Sequence, residues 1–307
     1  MATTRQSIIR GPGTAAFDGV KLFDQGGITA EIDSATQDIS SSISGKLDTI
    51  KTDQIGKVSL TPVGNLSEDL LAVLYPAWIR TPEIGRSVFG STDKSLVISS
   101  KAGTKVTFTA AAITKFPELY LSPVKTAFGG LEFTALLPNG KLPNDATTKL
   151  YTVTSATYAD GEAPRTGLSG NHYSATFGSL SIPDTLDGWT VGVEAQLEPV
   201  TTDSQGTIDY TLTGVNVTAK CTPLGLSEAQ ILAALPALSL RGSSNAGAND
   251  LVLASANGLT VTLKCAALVT GPLNWGATSL RAGEIGFTAH VDTTDGSLFE
   301  IDYDDPE

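Results

Sequence analysis

The sequence predicts a mainly β protein made of two tandem homologous β-sandwich or barrel domains, each with one short α-helix. Three observations predict this class. Apolar and polar residues alternate with period two along most of the chain, turn-forming glycines are frequent, and one order of elements occurs twice. The chain has 307 residues, 31 of them Gly, and only 17% are charged. That length is enough to bury a core in each half.

The clearest repeat contains a turn, a helix start and a proline stop. "LTPVGNLSEDLLAVLYPAW" (60–78) resembles "CTPLGLSEAQILAALPAL" (221–238). Ser67 and Ser227 match, and each is the predicted N-cap of its helix, because a serine hydroxyl can accept a free amide of the first turn. A proline then limits each helix, since proline lacks the amide proton. We predict one short helix of about three turns in each half.

The strands around this helix also repeat in the same order. "SLVISSKAGTKVTFTAAAI" (95–113) matches "DLVLASANGLTVTLKCAAL" (250–268) at an offset of 155 residues. "LYTVT" (150–154) matches "LFEID" (298–302) at an offset of 148. Glycine-containing turns such as "KAGT" and "SANG" predict that two strands of each segment form a hairpin.

Longer loops in the first half explain why the offset falls along the chain. The extra residues lie at 80–94 and 138–149, where a solvated backbone tolerates insertion. A stretch rich in Gly, Pro and charge separates the halves. We therefore predict one domain at residues 1–160 and its duplicate at residues 161–307.

Charge and hydropathy exclude several classes of protein. The net charge of −12 argues against specific nucleic-acid binding, but it is compatible with a surface past which DNA slides. No apolar run is long enough to span a membrane, and the N-terminus lacks the apolar core of a secretory signal, so we expect synthesis in a cytoplasm and no membrane association. Cys221 and Cys265 are predicted to be buried free thiols, with one disulfide as the alternative.

The sequence contains no concentrated catalytic motif. The spacing of its cysteines and histidines fits no zinc site, and it has neither a phosphate-binding loop nor a nucleophile elbow. We predict no enzymatic activity, no catalytic residue, no cofactor and no metal. The acids Glu31 and Glu194 match across the repeat, as do Asp48 and Asp209. They can be acid–base pairs, solvent-facing acids on strands, or acids that give an inner surface a negative field.

The opening "IIRGPGTAAFDGVKLFDQGGITAEI" (8–32) resembles the start of phage tail tube proteins. It contains an "IIRGP" stretch, a strand with a "DG" turn and a strand with alternating acids. A β-sandwich with one short helix is similar to the fold of that family. The resemblance covers the first half directly and the second half through the repeat. It implies rings of six domains, which a chain with two domains would close as a trimer.

The resemblance also implies function, partners and place. The chain would be a non-enzymatic subunit of stacked pseudo-hexameric rings in the tail of a virion, assembled in the host cytoplasm. Its partners would be further copies of itself, a tape measure protein, and tail tip and tail terminator proteins. DNA would pass through the lumen without specific binding. Ring-to-ring contacts would be made by the longer loops, and the candidate lumen-facing acids are Glu31, Asp48, Glu194 and Asp209.

The main alternative is a virion-surface adhesin or decoration protein with two Ig-like sandwich domains, because sandwiches carry many functions. A carbohydrate-active β-sandwich enzyme is a third interpretation. It predicts a cleft with paired carboxylates and aromatic residues, which the sequence does not show.

Overall fold

The structure is a computed structural model that describes residues 13–63, 66–122, 128–138, 148–155, 173–182, 184–203, 205–224, 249–256, 258–271, 273–275 and 280–304. Strands make up 63% of it and helices 5%, which confirms a mainly β protein. The four larger sheets are arranged like four small propeller blades and do not form two clearly separate tandem sandwiches.

The first half of the chain contains eleven described strands and two helices. The strands are β1 (Gly13–Phe17), β2 (Val20–Asp24), β3 (Thr29–Ser41), β4 (Gly45–Leu60), β5 (Pro62–Val63), β6 (Leu96–Ser100), β7 (Thr104–Phe108), β8 (Ala110–Lys115), β9 (Leu119–Leu121), β10 (Leu131–Leu136) and β11 (Tyr151–Ser155). The helices are α1 (Glu68–Leu74) and α2 (Ala77–Arg80).

The second half contains a further eleven described strands. They are β12 (Tyr173–Phe177), β13 (Leu180–Ile182), β14 (Thr185–Thr202), β15 (Gly206–Pro223), β16 (Leu251–Ser255), β17 (Leu259–Leu263), β18 (Ala267–Thr270), β19 (Leu273–Trp275), β20 (Leu280–Ala282), β21 (Ile285–Thr288) and β22 (Phe299–Tyr303).

These strands form four larger antiparallel sheets and one two-stranded ribbon. Sheet I has the order β11-β7-β6-β1-β2-β5, and sheet II has the order β3-β4-β10-β8. Sheet III has the order β13-β12-β16-β17-β22, and sheet IV has the order β18-β21-β15-β14-β9. The ribbon pairs β19 with β20. Strand β9 belongs to the first half but completes a sheet of the second half.

Strand pairing repeats between the halves at the offsets read from the sequence. Leu96 lies opposite Phe108 in sheet I, and Leu251 lies opposite Leu263 in sheet III, which is an offset of 155 residues. Strands β11 and β22 pair with β7 and β17 at the offset of 148. The domain division stays a prediction, because its boundary at residues 160 and 161 lies outside the described residues.

The two long hairpins, β3–β4 and β14–β15, share even their irregularities. The register of the first hairpin shifts after Ala35 and after Ile39. The register of the second hairpin shifts after Gln196 and after Val200. Both pairs of positions are 161 residues apart, and a bulge bends a strand and increases its twist. An offset of 161 therefore defines equivalent positions in the two hairpins.

Helix α1 begins at its predicted N-cap, since the hydroxyl of Ser67 accepts a hydrogen bond from the amide of Leu70 at 3.2 Å. The prediction of one helix of about three turns is wrong for the first half. Helix α1 has seven residues, and after Pro76 a second helix of four residues begins. Proline blocks continuation of a helix but fits at the start of one. The second predicted helix, with Ser227, lies outside the described residues.

One continuous core of buried side chains contains residues of both halves. Both cysteines are free, so the alternative of a disulfide does not occur here. Cys221 is buried, and burial raises the pKa of its thiol. Cys265 is only half-buried, because β17 ends at Leu263 and the chain turns there with a left-handed backbone at Cys265. The prediction of two buried thiols is therefore correct for Cys221 alone.

Candidate functional site

The four predicted lumen acids lie on the two long hairpins, on the side that faces away from the core. Val58 of β4 is buried, and Glu31 lies opposite the residue that precedes it. Because successive side chains of a strand alternate between faces, Glu31 points away from the core. The same alternation and the shared bulges place Asp48, Glu194 and Asp209 on that side.

This side of the hairpins carries excess negative charge. Strands β3 and β4 contain five acids and three lysines, and β14 and β15 contain four acids and one lysine. Lys46 binds Asp38 at 2.6 Å, which lowers the pKa of Asp38, and Lys57 binds Asp33 at 3.3 Å, which raises the pKa of Lys57. In the described part of the chain, none of the four predicted lumen acids forms an ion pair.

The strand register corrects one of the predicted matches. Asp48 and Asp209 are equivalent, because both lie at the same place beside the second bulge. The equivalent of Glu194 is Asp33, so the match with Glu31 is wrong by two residues. Sequence similarity aligned one acid with another, whereas the backbone ladder defines the register. A shift of two residues keeps a side chain on the same face, so the shared orientation is unaffected.

Strand β9 is the first of four contacts that join the two halves. Leu119 lies opposite Val191 and Leu121 lies opposite Trp189, and all four side chains are buried. Gly188 precedes this pairing and has a left-handed backbone with φ of 82°. A Cβ atom on Gly188 would lie 2.2 Å from the carbonyl oxygen of Leu121. Only glycine permits this approach of two backbones.

The second contact is made by the loop at 80–94, which was predicted to touch a neighbouring ring. The amides of Gly85 and Val88 donate to the carbonyl oxygens of Leu212 and Tyr210, each at 2.8 Å. This segment therefore extends β15 as an additional edge strand and binds the second half of its own chain. The other long loop, at 138–149, lies mostly outside the described residues.

Two carboxylates hold the same region and form the third contact. Asp209 accepts a hydrogen bond from the amide of Phe89 at 3.2 Å. Asp53 of the first hairpin accepts one from the hydroxyl of Thr207 at 2.9 Å. The rings of Phe89 and Tyr210 stack with 6.4 Å between centroids. Asp209 is thus half-buried in a contact within the chain, whereas the other three predicted lumen acids are exposed.

The helices of the first half make the fourth contact, with β22 of the second half. The ring of Tyr75 meets Phe299 edge-on at 6.2 Å, and burial raises the pKa of the Tyr75 hydroxyl. That hydroxyl donates to the carbonyl oxygen of Pro117 at 2.8 Å. The amide of Leu298 donates to the carbonyl oxygen of Arg80 at 2.7 Å. The apolar side of β22 is therefore covered by the first half.

The equivalent strand of the first half, β11, has no such cover. Tyr151 and Val153 are 40% and 58% exposed, whereas their equivalents Phe299 and Ile301 are 0% and 6% exposed. Every residue of β11 is exposed. A strand with apolar residues at the same positions is thus buried in one half and open in the other.

The counterpart of the β14 edge is also open. Residues 28–30 are equivalent to the segment of β14 that pairs with β9, and among the described residues β3 pairs only with β4. Gly27 is equivalent to Gly188 and also has a left-handed backbone, with φ of 105°. A Cβ atom on Gly27 would meet no atom within 4 Å.

One cavity of about 320 Å³ lies under the second part of the 80–94 loop, beside Trp78. Its two cations are already paired, Arg86 with Glu83 at 2.6 Å and Lys94 with Asp18 at 3.0 Å. Within the described residues, no group of three His, Cys, Asp or Glu side chains is placed to hold a metal ion. The open surface of the first half is therefore the stronger candidate for a functional site.

No helix in the described ranges combines the length and the apolar character needed to cross a membrane. In comparisons with known proteins, no family model and no curated protein matches this sequence.

Sequence reasoning did not find the contact between the halves. Its residues are β9, the segment 85–89, Asp53 and Gly188. One available signal was the match of β11 with β22, since it aligns apolar residues that a single half has no reason to keep on an exposed edge strand.

Proposed function

We propose that this protein is a structural subunit of a phage tail tube. Each chain contributes two homologous β-sandwich units to a ring, three chains close a pseudo-hexameric ring, and the rings stack into a hollow conduit for DNA. One observation supports the proposal above the others. The strand registers repeat across the chain, yet the first half leaves open the surface that the second half buries within the chain.

A chain with one closed and one open copy of the same surface is suited to head-to-tail assembly. Such a contact is heterologous, and it closes a ring when the rotation between units permits. A compact adhesin would have no need to leave apolar residues such as Tyr151 and Val153 exposed.

The charge of the hairpins supports a conduit for DNA. Glu31, Asp48 and Glu194 are exposed and point away from the core. On the wall of a lumen, these acids would repel the phosphates and let the duplex pass without binding. The protein would act without enzymatic activity or a cofactor.

The proposal extends to the partners of an assembled tail. Stacked rings leave two open ends, so a tail tip protein would begin the tube and a tail terminator protein would stop it. A tape measure protein would occupy the lumen before DNA. The chain would be assembled in the host cytoplasm and reside in the virion tail.

Negative-stain electron microscopy of the purified protein, fresh and after concentration, tests the proposal. We expect rings or hollow tubes that increase with protein concentration. Single particles up to the solubility limit, at low and high salt, would contradict it and would favour a virion-surface adhesin or decoration protein.

A further inference from the structure

We propose that the open face of the first half binds the second half of another copy of this chain, head to tail. The open face consists of β11, the edge of β3 at residues 28–30 and the outer part of β4 at residues 46–51. The proposal rests on the proposed function, because it names the contact that would close the ring.

The apolar side of β11 supports this partner. Tyr75 and the end of α2 cover Phe299 and its neighbours within one chain. Tyr151 and Val153 occupy the equivalent positions on an exposed strand. Burying these two side chains would give a second copy the same apolar contact that already joins the halves.

The edge of β3 supports the same partner through backbone pairing. Strand β9 covers the edge of β14 within the chain. Strand β19 is the equivalent of β9 in the second half, at an offset of 154 residues, and among the described residues its one partner strand is β20. In another copy, β19 can add to residues 28–30 as a further strand. The space beside Gly27 permits the close approach that Gly188 permits within the chain.

The first hairpin fits a complementary surface on sheet IV. The equivalents of Asp53 and Thr207, which hydrogen-bond within the chain, are Gly214 and Lys46. Gly214 leaves room for a longer side chain in place of the hydroxyl. The exposed acids Glu194 and Glu198 lie on the same side of this hairpin as Gly214, and they complement the positive charge of Lys46.

All three contacts run in one direction, from the second half of one copy to the first half of the next. Within the chain, the first half provides β9, the helices and Asp53, and the second half receives them. Between chains, the second half provides and the first half receives. An interface of this kind uses two different surfaces, so it continues from copy to copy until a ring closes.

Disulfide trapping tests the contact with two single-cysteine variants, Lys46→Cys and Gly214→Cys, mixed and mildly oxidised. We expect a cross-linked heterodimer on a non-reducing gel, because the two positions lie on different chains. The double variant should give species up to three chains. The matched control pairs Lys46→Cys with Asp302→Cys, an exposed residue of sheet III outside the open face, and the unaltered protein controls for Cys221 and Cys265.

A second variant pair measures assembly. Val153→Lys should raise the protein concentration needed for assembly at least about tenfold, because it places a charge in the apolar contact. Val291→Lys changes an equally exposed valine outside the open face and should have no such effect. Circular dichroism should show that both variants are folded, since both residues are exposed.

The outcomes separate the two proposals. Rings or tubes that form without the Lys46–Gly214 cross-link, and that tolerate Val153→Lys, would overturn the contact and leave the tube function standing. A protein that never assembles would overturn both. Cross-linking above the control, together with weakened assembly of Val153→Lys, would support the contact.

Discussion

Replacing Gly188 with alanine should separate β9 from β14 and weaken the joint between the halves. The new Cβ atom would lie 2.2 Å from the carbonyl oxygen of Leu121, a distance that requires the backbone to move. The left-handed conformation adds a strain of about 1 kcal/mol for a residue other than glycine. Gly27→Ala is the matched control, because Gly27 has the same type of conformation and no neighbour within 4 Å.

The difference between the two variants isolates the cost of the clash. Displacing β9 breaks a three-residue ladder whose hydrogen bonds contribute about 1 kcal/mol each. It also exposes part of Leu119 and Leu121, each of which contributes about 1.5–3 kcal/mol when fully buried. We therefore expect Gly188→Ala to lower the free energy of unfolding by about 2–5 kcal/mol more than Gly27→Ala does.

Urea denaturation in dilute solution measures this difference. The fluorescence of Trp189, which is buried beside β9, reports unfolding near the joint. Hydrogen exchange of the Tyr120 amide should also be faster in Gly188→Ala than in Gly27→Ala. Unfolding free energies of the two variants that agree within about 0.5 kcal/mol would refute the role given to this pairing.

Three further predictions follow from the local geometry. Ser67→Ala should lower the free energy of unfolding by about 1 kcal/mol, since it removes the N-cap bond of α1, and an unchanged thermal midpoint would contradict this. A hydrogen bond to Glu118 raises the pKa of Tyr120 to about 12. Because tyrosine in an unfolded chain has a pKa of about 10, this stabilisation is complete below pH ~10 and is lost as the pH rises to ~12. Tyrosinate absorbance should show one fewer late-titrating group in Tyr120→Phe. Replacing Glu31 and Glu194 with lysine should leave assembly intact but cause assembled tubes to retain duplex DNA at low salt, and tubes that still exclude DNA would remove these acids from the lumen.

The sequence predicted those features that local chemistry and repetition determine. The Ser67 cap follows from one hydroxyl near one amide. The pairing of β11 and β22 follows from the matched segments "LYTVT" and "LFEID". Period-two alternation placed Glu31 and Asp48 on one side of their hairpin, even though the matched partner of Glu31 was wrong.

The contacts between the halves could not be predicted in this way. Strand β9 has three residues, and its pairing with β14 depends on hydrogen bonds between distant backbones, which leave no periodic pattern. Asp209 looked like its exposed equivalent Asp48, and only the docked 85–89 segment makes it half-buried. The break in helix geometry after Pro76 was also invisible, because proline fits equally at the start of a new helix.

The mass of one layer of the assembled tube tests the central claim most directly. If one chain of 31.8 kDa fills two of six positions, three chains give a layer of about 95 kDa. Scanning transmission electron microscopy measures mass per length, and the axial repeat in cryo-electron micrographs converts it to mass per layer. A value near 95 kDa per layer would support the account, and a value near that of six chains, about 190 kDa, would contradict it.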